Sequence, residues 1–188
     1  TLEKISKDRL ILELTLVIFP ELKNIKIFSK LSENQKTFLV DSDFIFLLSL
    51  MIIDGTDNVD YFFYKFNISK KNQKRIKIID EFFKENKNKN VFSEEKMNKI
   101  FYYNGRQAVM DILQFRIINS KKFDQKLIEL IKIYKDKISP IMPVGADVLM
   151  AKYKVPKGKQ LGLKLKIIEK EWVKNDFKIS DEQIEQIL

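Results

Sequence analysis

The chain has 188 residues, of which 45% are hydrophobic and 32% charged, so it can bury a core of its own. Its formal net charge of +9 favours an anionic partner such as nucleic acid or a membrane surface. It has no cysteine and no histidine, which excludes disulfides, Ser-His or Cys-His nucleophiles and Cys/His zinc sites and permits a cytoplasmic location.

The charge has two explanations. Only four of the 35 basic residues are arginines, a composition expected of a genome rich in A and T. Compositional drift and RNA binding therefore explain the charge equally well. The longest apolar run, residues 44–53, has about half the length that spans a bilayer. We expect that run to form a buried helix and no membrane to be bound.

Apolar residues recur at helical spacing along the first half of the chain. The stretch ISKDRLILELTLVIF predicts an N-terminal helix that Ser6 is placed to cap. A linker-like segment follows from Pro20 to about Ser42, and an apolar helix over 43–53 stops at Asp54-Gly55. A short aromatic helix comes next, and Ser69 opens a helix with lysines on one face.

The second half continues this pattern after a polar loop at 87–90. A helix capped by Ser93 ends at Asn104-Gly105, and the next helix follows directly, which predicts a tight helical hairpin. A further helix from about residue 122 is closed by Ser139-Pro140. The chain ends with a short helix near Gly145, a Pro-Gly turn, a long helix from about Leu161 to Asn175 and a last helix capped by Ser180.

These elements predict an all-α fold, a stack of about nine short and medium helices without a sheet. We expect three parts along the chain: 1–42 with N-terminal helices and a linker, 43–138 as a helical body, and 139–188 as a helical tail.

Residue chemistry predicts no self-contained active site. The pair Asp41 and Asp43 has the spacing of magnesium-binding aspartates in nucleotidyl transfer, but it lacks the preceding Gly-Ser turn, so helix capping is favoured. The stretch Asp54–Asp60 lacks calcium-loop spacing, and no Gly-rich phosphate loop is present. Most aromatic residues fit core positions. The better candidates for base stacking are three tyrosines: Tyr102, Tyr103 and Tyr153.

The stretch from Met142 to Gly162 concentrates three of the five glycines in the chain. Six lysines and no acidic residue lie between Lys152 and Lys166. Two explanations are open: the glycines bring backbone and lysines close to an RNA backbone, or they only end helices and, at Gly162, let two helices pack closely.

Three stretches resemble bacterial class II tRNA nucleotidyltransferases, the CCA-adding enzymes and related poly(A) polymerases. ISKDRLILEL is similar to the helix of the family's neck, with Ser6, Arg9 and Glu13 on its pattern. FYYNGRQAVMDILQFRIINS is similar to a hairpin of the family's body, with Gly105, Asp111 and Leu113 matching. The third stretch resembles the family's tail, although AKYKV stands in place of a glycine there. The matching tail residues are Gly145, Asp147, Pro156, Gly158, Leu161, Gly162, Leu165 and Glu169.

The resemblance implies that the chain carries the remaining neck, the body and the tail, without the catalytic head. The missing head would hold Mg²⁺ and CTP or ATP, so no cofactor, metal site or catalytic residue is expected in this chain. The start at Thr1 without an initiator methionine also favours a piece of a longer protein. The implied partners are tRNA or other RNA and a head in the same or a separate chain. The expected RNA-binding residues are Arg106, Lys152, Lys154, Lys157, Lys159 and Lys164.

Two other functions fit the same sequence. The first is a helical protein-interaction module without RNA binding, whose charge is compositional drift. The second is a decayed gene fragment with no retained activity. A clustered basic surface favours RNA binding, whereas an exposed apolar groove favours the interaction module.

Overall fold

A computed structural model of the chain describes residues 1–86, 91–120 and 124–188. It is 69% helical with twelve α-helices, nine of which have seven or more residues, and no strand occurs in these three ranges. The prediction of an all-α fold is confirmed. The predicted polar loop at 87–90 and the predicted helix start at 122 and 123 lie outside the described residues. In the described part of the chain, no helix has the length and apolarity needed to cross a bilayer.

The helices are separated by short connections, and a 3₁₀ helix, Ile25–Ser29, precedes the third of them. In chain order they are α1 (Leu2–Lys7), α2 (Arg9–Ile18), α3 (Glu33–Thr37), α4 (Phe44–Ile52), α5 (Asn58–Lys65), α6 (Lys70–Glu85), α7 (Glu94–Asn104), α8 (Arg106–Asn119), α9 (Gln125–Asp136), α10 (Ala146–Ala151), α11 (Lys159–Lys174) and α12 (Asp181–Ile187).

The helices form two compact units. Unit 1 consists of Thr1–Asn90 and Gln107–Lys135, and unit 2 of Val91–Arg106 and Asp136–Leu188. Unit 2 is therefore discontinuous along the chain, because it combines α7 with the three C-terminal helices.

The core of unit 1 is built from apolar faces that the sequence already shows. Leu50 and Ile52 of α4 and Ile76 and Ile79 of α6 are fully buried. Each such aliphatic side chain contributes about 1.5–3 kcal/mol to the free energy of unfolding by leaving water. The helix α4 is 9 residues long and six of them are buried, so the apolar run forms the predicted buried helix.

A partly buried ion-pair network joins three helices of unit 1. Asp111 of α8 is 1% exposed and accepts hydrogen bonds from Arg75 Nε at 2.6 Å and Nη2 at 2.9 Å. Arg75 Nη1 also donates to Asp43 Oδ2, 2.5 Å away. Asp43 Oδ1 accepts the backbone N–H of Phe46 at 3.0 Å and caps α4. The capping prediction for this aspartate is confirmed, and both of its oxygens are occupied.

The predicted cap at Ser6 is wrong. Ser6 is buried inside α1, and its hydroxyl donates to the carbonyl of Glu3 at 2.8 Å. The helix α1 ends at Lys7. Asp8 follows and caps α2 by accepting hydrogen bonds from the backbone N–H groups of Leu10 and Ile11 at 3.0 and 3.1 Å. A carboxylate at the break accepts two free amides, whereas a hydroxyl within a helix bonds back to the preceding turn. The ion pair between Arg9 and Glu13 is observed at 2.9 Å.

The segment from Pro20 to Ser42 is more structured than the predicted linker. Its 3₁₀ helix buries Ile25 and Phe28, and Ser32 opens α3 with a capping box. The Gln35 side-chain amide donates to the carbonyls of Ile117 and Ile118 near the end of α8 at 3.0 and 3.1 Å. Tertiary contacts therefore order a stretch that lacks a long helical repeat.

Unit 2 has two adjoining groups of buried side chains. One lies between α10, α11 and α12 and consists of Val144, Leu149, Val155, Leu161, Ile168 and Ile184. In the other, the ring of Trp172 lies 5.3 Å from Tyr102 and 5.1 Å from Phe177, centroid to centroid. The helix α7 begins at the predicted Ser93 cap and ends at Gly105, whose φ is 83°. The helix α12 begins at the predicted Ser180 cap.

Candidate nucleic-acid interface

A buried side chain anchors the turn between α10 and α11. Val155 is 7% exposed and belongs to the core of unit 2, and its backbone N–H donates to the carbonyl of Leu149 at 3.1 Å. Lys154 precedes it with φ 55°, which reverses the chain. Lys154 and Lys157, on either side of Val155, are consequently exposed to solvent. One apolar anchor thus orients the lysines of the turn outwards.

Gly158 is required by the backbone of this turn. It has φ 152° and ψ −168°, a region that is essentially restricted to glycine. A Cβ there would meet no atom within 4 Å, so conformation and not space selects glycine. Gly158 is the N-cap residue of α11, so its neighbours Lys157 and Lys159 lie at the start of a 16-residue helix.

The N-terminus of α11 differs from those of α7 and α12. Ser93 caps α7 and Ser180 caps α12, and each of these helices has two acidic residues in its first turn. The helix α11 has neither a side-chain cap nor an acidic residue in its first turn. Its first backbone N–H groups and the positive end of its macrodipole therefore lack a negative partner from these positions.

The expected RNA-binding lysines divide into two groups. Lys154, Lys157 and Lys159 are exposed and form no ion pair with any residue that the structure describes. Lys152 is also exposed, but its Nζ lies 2.6 Å from Asp181 Oδ2. Hydrogen bonds from Lys152 and Tyr153 lower the pKa of the Asp181 carboxyl. Lys164 is half-buried and donates to the backbone oxygen of Leu188.

Arg106, the remaining expected RNA-binding residue, is also exposed. Its Nη2 donates to the carbonyl of Lys137 at 3.0 Å. Among the described residues, no hydrogen bond joins it to the turn between α10 and α11. The structure therefore gathers Lys152, Lys154, Lys157 and Lys159 in one turn and provides no contact that brings Arg106 into that group.

The other tail glycines have different surroundings. Gly145 begins α10 and Gly158 begins α11, so the explanation that both only end helices is wrong. A Cβ at Gly145 would lie 2.4 Å from Oδ1 of Asp147, an exposed side chain that can move. A Cβ at Gly162 would meet nothing within 4 Å, so no close approach of a second helix in the described chain requires glycine there. Pro156 is exposed.

A line of lysines along one face of α11 was not predicted from the sequence. Lys159, Lys166 and Lys170 are separated by seven and four residues, which places them on one face of the helix. All three are exposed and unpaired within the part of the chain that the structure describes. The spacing could have revealed this face from the sequence once the start of the helix was known.

Two of the three stacking tyrosines are engaged within unit 2. The Tyr102 hydroxyl donates to Glu169 at 2.8 Å, and burial together with this bond raises its pKa to about 12. The Tyr153 hydroxyl donates to Asp181 at 2.7 Å. Tyr103 keeps 44% of its surface exposed and is the remaining candidate for base stacking.

Two aspartates of the stretches considered for metal binding are engaged within the chain. Asp43 is occupied by Arg75 and by the N-terminus of α4, and Asp54 accepts from Lys23 and from Thr56. Across the described ranges, no group of three or more Asp, Glu, Cys or His side chains could hold a metal ion. The chemistry that the turn itself offers is the attraction of anions by lysines and free amides.

Comparisons of the chain with protein-family models, curated proteins and solved structures found no match. The resemblance to class II nucleotidyltransferases therefore stays a prediction that depends on its three motifs.

Proposed function

We propose that the chain is the RNA-binding helical portion of a CCA-adding tRNA nucleotidyltransferase or a poly(A) polymerase. It would position the 3′ end of the RNA for a catalytic head in the same or a separate chain, in the cytoplasm. The observation that carries the proposal is the group of exposed, unpaired lysines Lys154, Lys157 and Lys159 around the uncapped start of α11.

Such a surface suits the backbone of an RNA duplex. A-form RNA is recognised mainly through phosphates, 2′-hydroxyls and shape, because its major groove is too narrow for side chains to read. Lysine ammonium groups attract phosphates without regard to sequence, and the amides at a helix start donate hydrogen bonds to phosphate oxygens. Lys166 and Lys170 would extend the contact along α11.

In this proposal the head binds Mg²⁺ and CTP or ATP, and the chain alone adds no nucleotide. The chain's contribution is to hold the RNA body at a fixed distance from the reacting end. That contribution lowers the entropic cost of bringing the two reactants together.

The test is the binding of tRNA lacking its CCA end, measured by gel shift across a salt series with duplex DNA as competitor. We expect binding that prefers tRNA. Replacing Lys154, Lys157 and Lys159 with alanine should raise Kd on the order of 100-fold, at about 1 kcal/mol per charged contact. The slope of log K against log salt should shrink by about 2 to 3 units.

The matched control replaces Lys70, Lys71 and Lys74 of α6 with alanine. All three lysines lie in the first turns of α6, an amphipathic helix of unit 1, and are exposed. This variant therefore removes the same charge from another surface. We expect its Kd to change by less than about threefold, because only long-range attraction is lost. Equal weakening by both variants would show that net charge alone binds RNA and would refute the proposal. Equal affinity for duplex DNA would do the same.

A specific observation also favours the second candidate, a helical protein-interaction module. The helix α2 exposes an apolar face, with Leu10 and Val17 77% and 78% exposed. RNA binding and association through α2 use different residues, so separate variants can test them.

A further inference from the structure

The start of α5 and the segment that follows α2 form a small cavity in unit 1. Its volume is about 270 Å³, and it is lined by Pro20, Glu21, Lys23, Asp57, Asn58 and Tyr61. The buried Asn58 joins its walls, because the side-chain amide donates to the backbone carbonyls of Glu21 at 2.8 Å and Ile52 at 2.7 Å. Sites for drug-sized ligands have volumes of about 300–1,000 Å³, so a ligand of this cavity is small.

Glu21, which lines this cavity, has an unsatisfied side-chain oxygen. The residue is 1% exposed, and its Oε1 accepts a hydrogen bond from Lys65 Nζ at 2.7 Å. Its Oε2 is buried and has no hydrogen-bond partner in the part of the chain that the structure describes. Buried polar atoms in native proteins are almost always paired, so an orphaned oxygen indicates a bound water molecule or a bound ligand.

The orphaned oxygen belongs to a charged carboxylate. Burial acts to raise the pKa of the Glu21 carboxyl, but hydrogen bonds from Lys65 and from its own backbone N–H bring this pKa below its ordinary value. Leaving a charged oxygen unpaired costs more than leaving a neutral one, and hydrogen bonds between ionised groups are the stronger kind. A cationic donor is therefore the partner that Oε2 favours most.

Asp57 gives the cavity a negative charge. Its side chain is exposed, makes no capping hydrogen bond and forms no ion pair with a described residue. The other charges at the cavity cancel in pairs. Lys65 lies 2.7 Å from Glu21, and Lys23 lies 2.9 Å from Asp54. A negative charge thus remains at this cavity, although the chain as a whole carries +9.

Tyr61 adds an aromatic surface beside Asp57. The two residues are one turn apart, since the backbone N–H of Tyr61 donates to the carbonyl of Asp57 at 3.0 Å. The Tyr61 side chain is 55% exposed. The face of an aromatic ring attracts an ammonium group and packs against methylene groups. A carboxylate next to such a ring suits an alkylammonium ion.

The same features disfavour other small ligands. An anion would meet the carboxylates of Glu21 and Asp57. A metal ion prefers several ligating side chains, and no group of three or more Asp, Glu, Cys or His in the described ranges could hold one. A water molecule satisfies Oε2 but leaves the charge of Asp57 uncompensated.

We propose that this cavity binds a small aliphatic amine through its primary ammonium group, which donates to Glu21 and Asp57 while the methylene chain packs on Tyr61. An ammonium group has three donors and no acceptor, which matches a set of carboxylate oxygens. The site is independent of the proposed RNA binding, because all its residues belong to unit 1 and the turn lysines to unit 2.

The first measurement is isothermal titration calorimetry with putrescine as the probe at low ionic strength. We expect a single saturable site with a Kd below about 1 mM, and weaker binding as salt screens the carboxylates. The neutral alcohol n-butanol, which has the methylene chain without the charge, should not bind. The absence of a saturable signal up to about 10 mM putrescine would assign Oε2 to a water molecule and overturn the proposal.

Asp57→Asn tests the unpaired charge without removing a capping hydrogen bond. It should raise the Kd for putrescine at least about fivefold, because an attractive carboxylate is lost. The matched control is Asp41→Asn, which changes another exposed aspartate of unit 1 that has no ion pair with a described residue. It should bind like the parent chain. Equal weakening by both variants would show general attraction to acidic surfaces and would refute the site.

Tyr61→Ala tests the aromatic wall. It should raise the Kd about threefold or more, through the loss of cation–π attraction and methylene packing. Tyr64→Ala, at a position 90% exposed, is the control and should have no effect. Saturation-transfer NMR should show transfer from a tyrosine ring to the putrescine methylenes that only Tyr61→Ala removes. Transfer that persists in Tyr61→Ala would place the amine elsewhere and contradict the proposal.

Glu21→Gln tests the buried carboxylate, and circular dichroism checks that the variant folds. We expect saturable binding to disappear, whereas binding equal to that of the parent chain would contradict the role of Oε2. If this variant fails to fold, Asp57→Asn and Tyr61→Ala still decide. Two further outcomes would overturn the proposal: displacement of putrescine by an equal concentration of MgCl₂, which assigns the cavity to an inorganic cation, and at least about tenfold tighter binding of Nα-acetyl-lysine methylamide, which assigns it to a lysine of a protein partner.

Discussion

Arg75 in unit 1 and the turn lysines in unit 2 contribute equally to the net charge, but their surroundings are opposite. Arg75 lies between Asp111 and Asp43, and the hydrogen bonds with these carboxylates outweigh burial and raise the pKa of its guanidinium. Lys154 and Lys157 are exposed and have no carboxylate partner among the described residues. A basic residue that is already paired stabilises the fold, whereas an unpaired one remains available to a phosphate. Net charge alone cannot distinguish these roles.

The same contrast recurs within the turn itself. Lys152 is paired with Asp181, and Lys157, five residues later, is not. Variants on both sides of this comparison can test whether pairing decides function.

The largest effect should come from Arg75→Ala. Removing this side chain leaves Asp111 buried without its cationic partner, and breaking such a pair costs about 3–5 kcal/mol of unfolding free energy. Urea denaturation followed by circular dichroism measures the loss. Arg9→Ala is the control, because the Arg9–Glu13 pair is exposed and contributes about 0.5 kcal/mol or less. Similar losses in both variants would contradict the structural role assigned to Arg75.

The glycines of the tail should respond in opposite directions. Gly158→Ala should lower the unfolding free energy by about 1–3 kcal/mol, because alanine is strained at φ 152°. Gly162→Ala should raise it by about 0.5–1 kcal/mol, because alanine favours the helix and meets no neighbour within 4 Å. Urea denaturation of both variants gives the signs. A stabilised Gly162→Ala variant that binds tRNA more weakly would indicate that RNA approaches α11 at this residue. Stabilisation by Gly158→Ala would refute the backbone argument.

The smallest effect separates two lysines of the turn. Lys157→Ala should raise the Kd for tRNA about fivefold to tenfold, through the loss of roughly 1 kcal/mol of phosphate contact. Lys152→Ala should raise it less than about threefold, because Asp181 already occupies this ammonium group. Gel shifts at one low salt concentration suffice. A larger effect at Lys152 would show that the ion pair opens when RNA binds.

Much of the fold could be predicted from local patterns. The caps at Ser93 and Ser180, the helix end at Gly105 and the buried faces of α4 and α6 are encoded within one or two turns of chain. The errors occurred where the local signal was ambiguous. Ser6 and Asp8 are both good cap residues two positions apart, and their sequence does not say where α1 ends.

The candidate site was predicted in part. The lysines and glycines between residues 142 and 166 were evident, because composition shifts abruptly there. The pairing of Lys152 with Asp181 and the bond from Lys164 to the backbone of Leu188 were not, because each joins residues 24 or more positions apart. The face formed by Lys159, Lys166 and Lys170 needed the start of α11, which the structure places two residues before the predicted one.

The sequence by itself determined that this chain is helical, because apolar spacing, caps and glycine stops act over a few residues. It also determined the absence of thiol and imidazole chemistry, since those side chains are missing. Only the tertiary structure decided which charges are neutralised, that Asp111 is buried against Arg75, and that one face of α2 remains uncovered. The physical reason is that burial and ion pairing depend on residues distant in sequence, which the folded chain alone brings together.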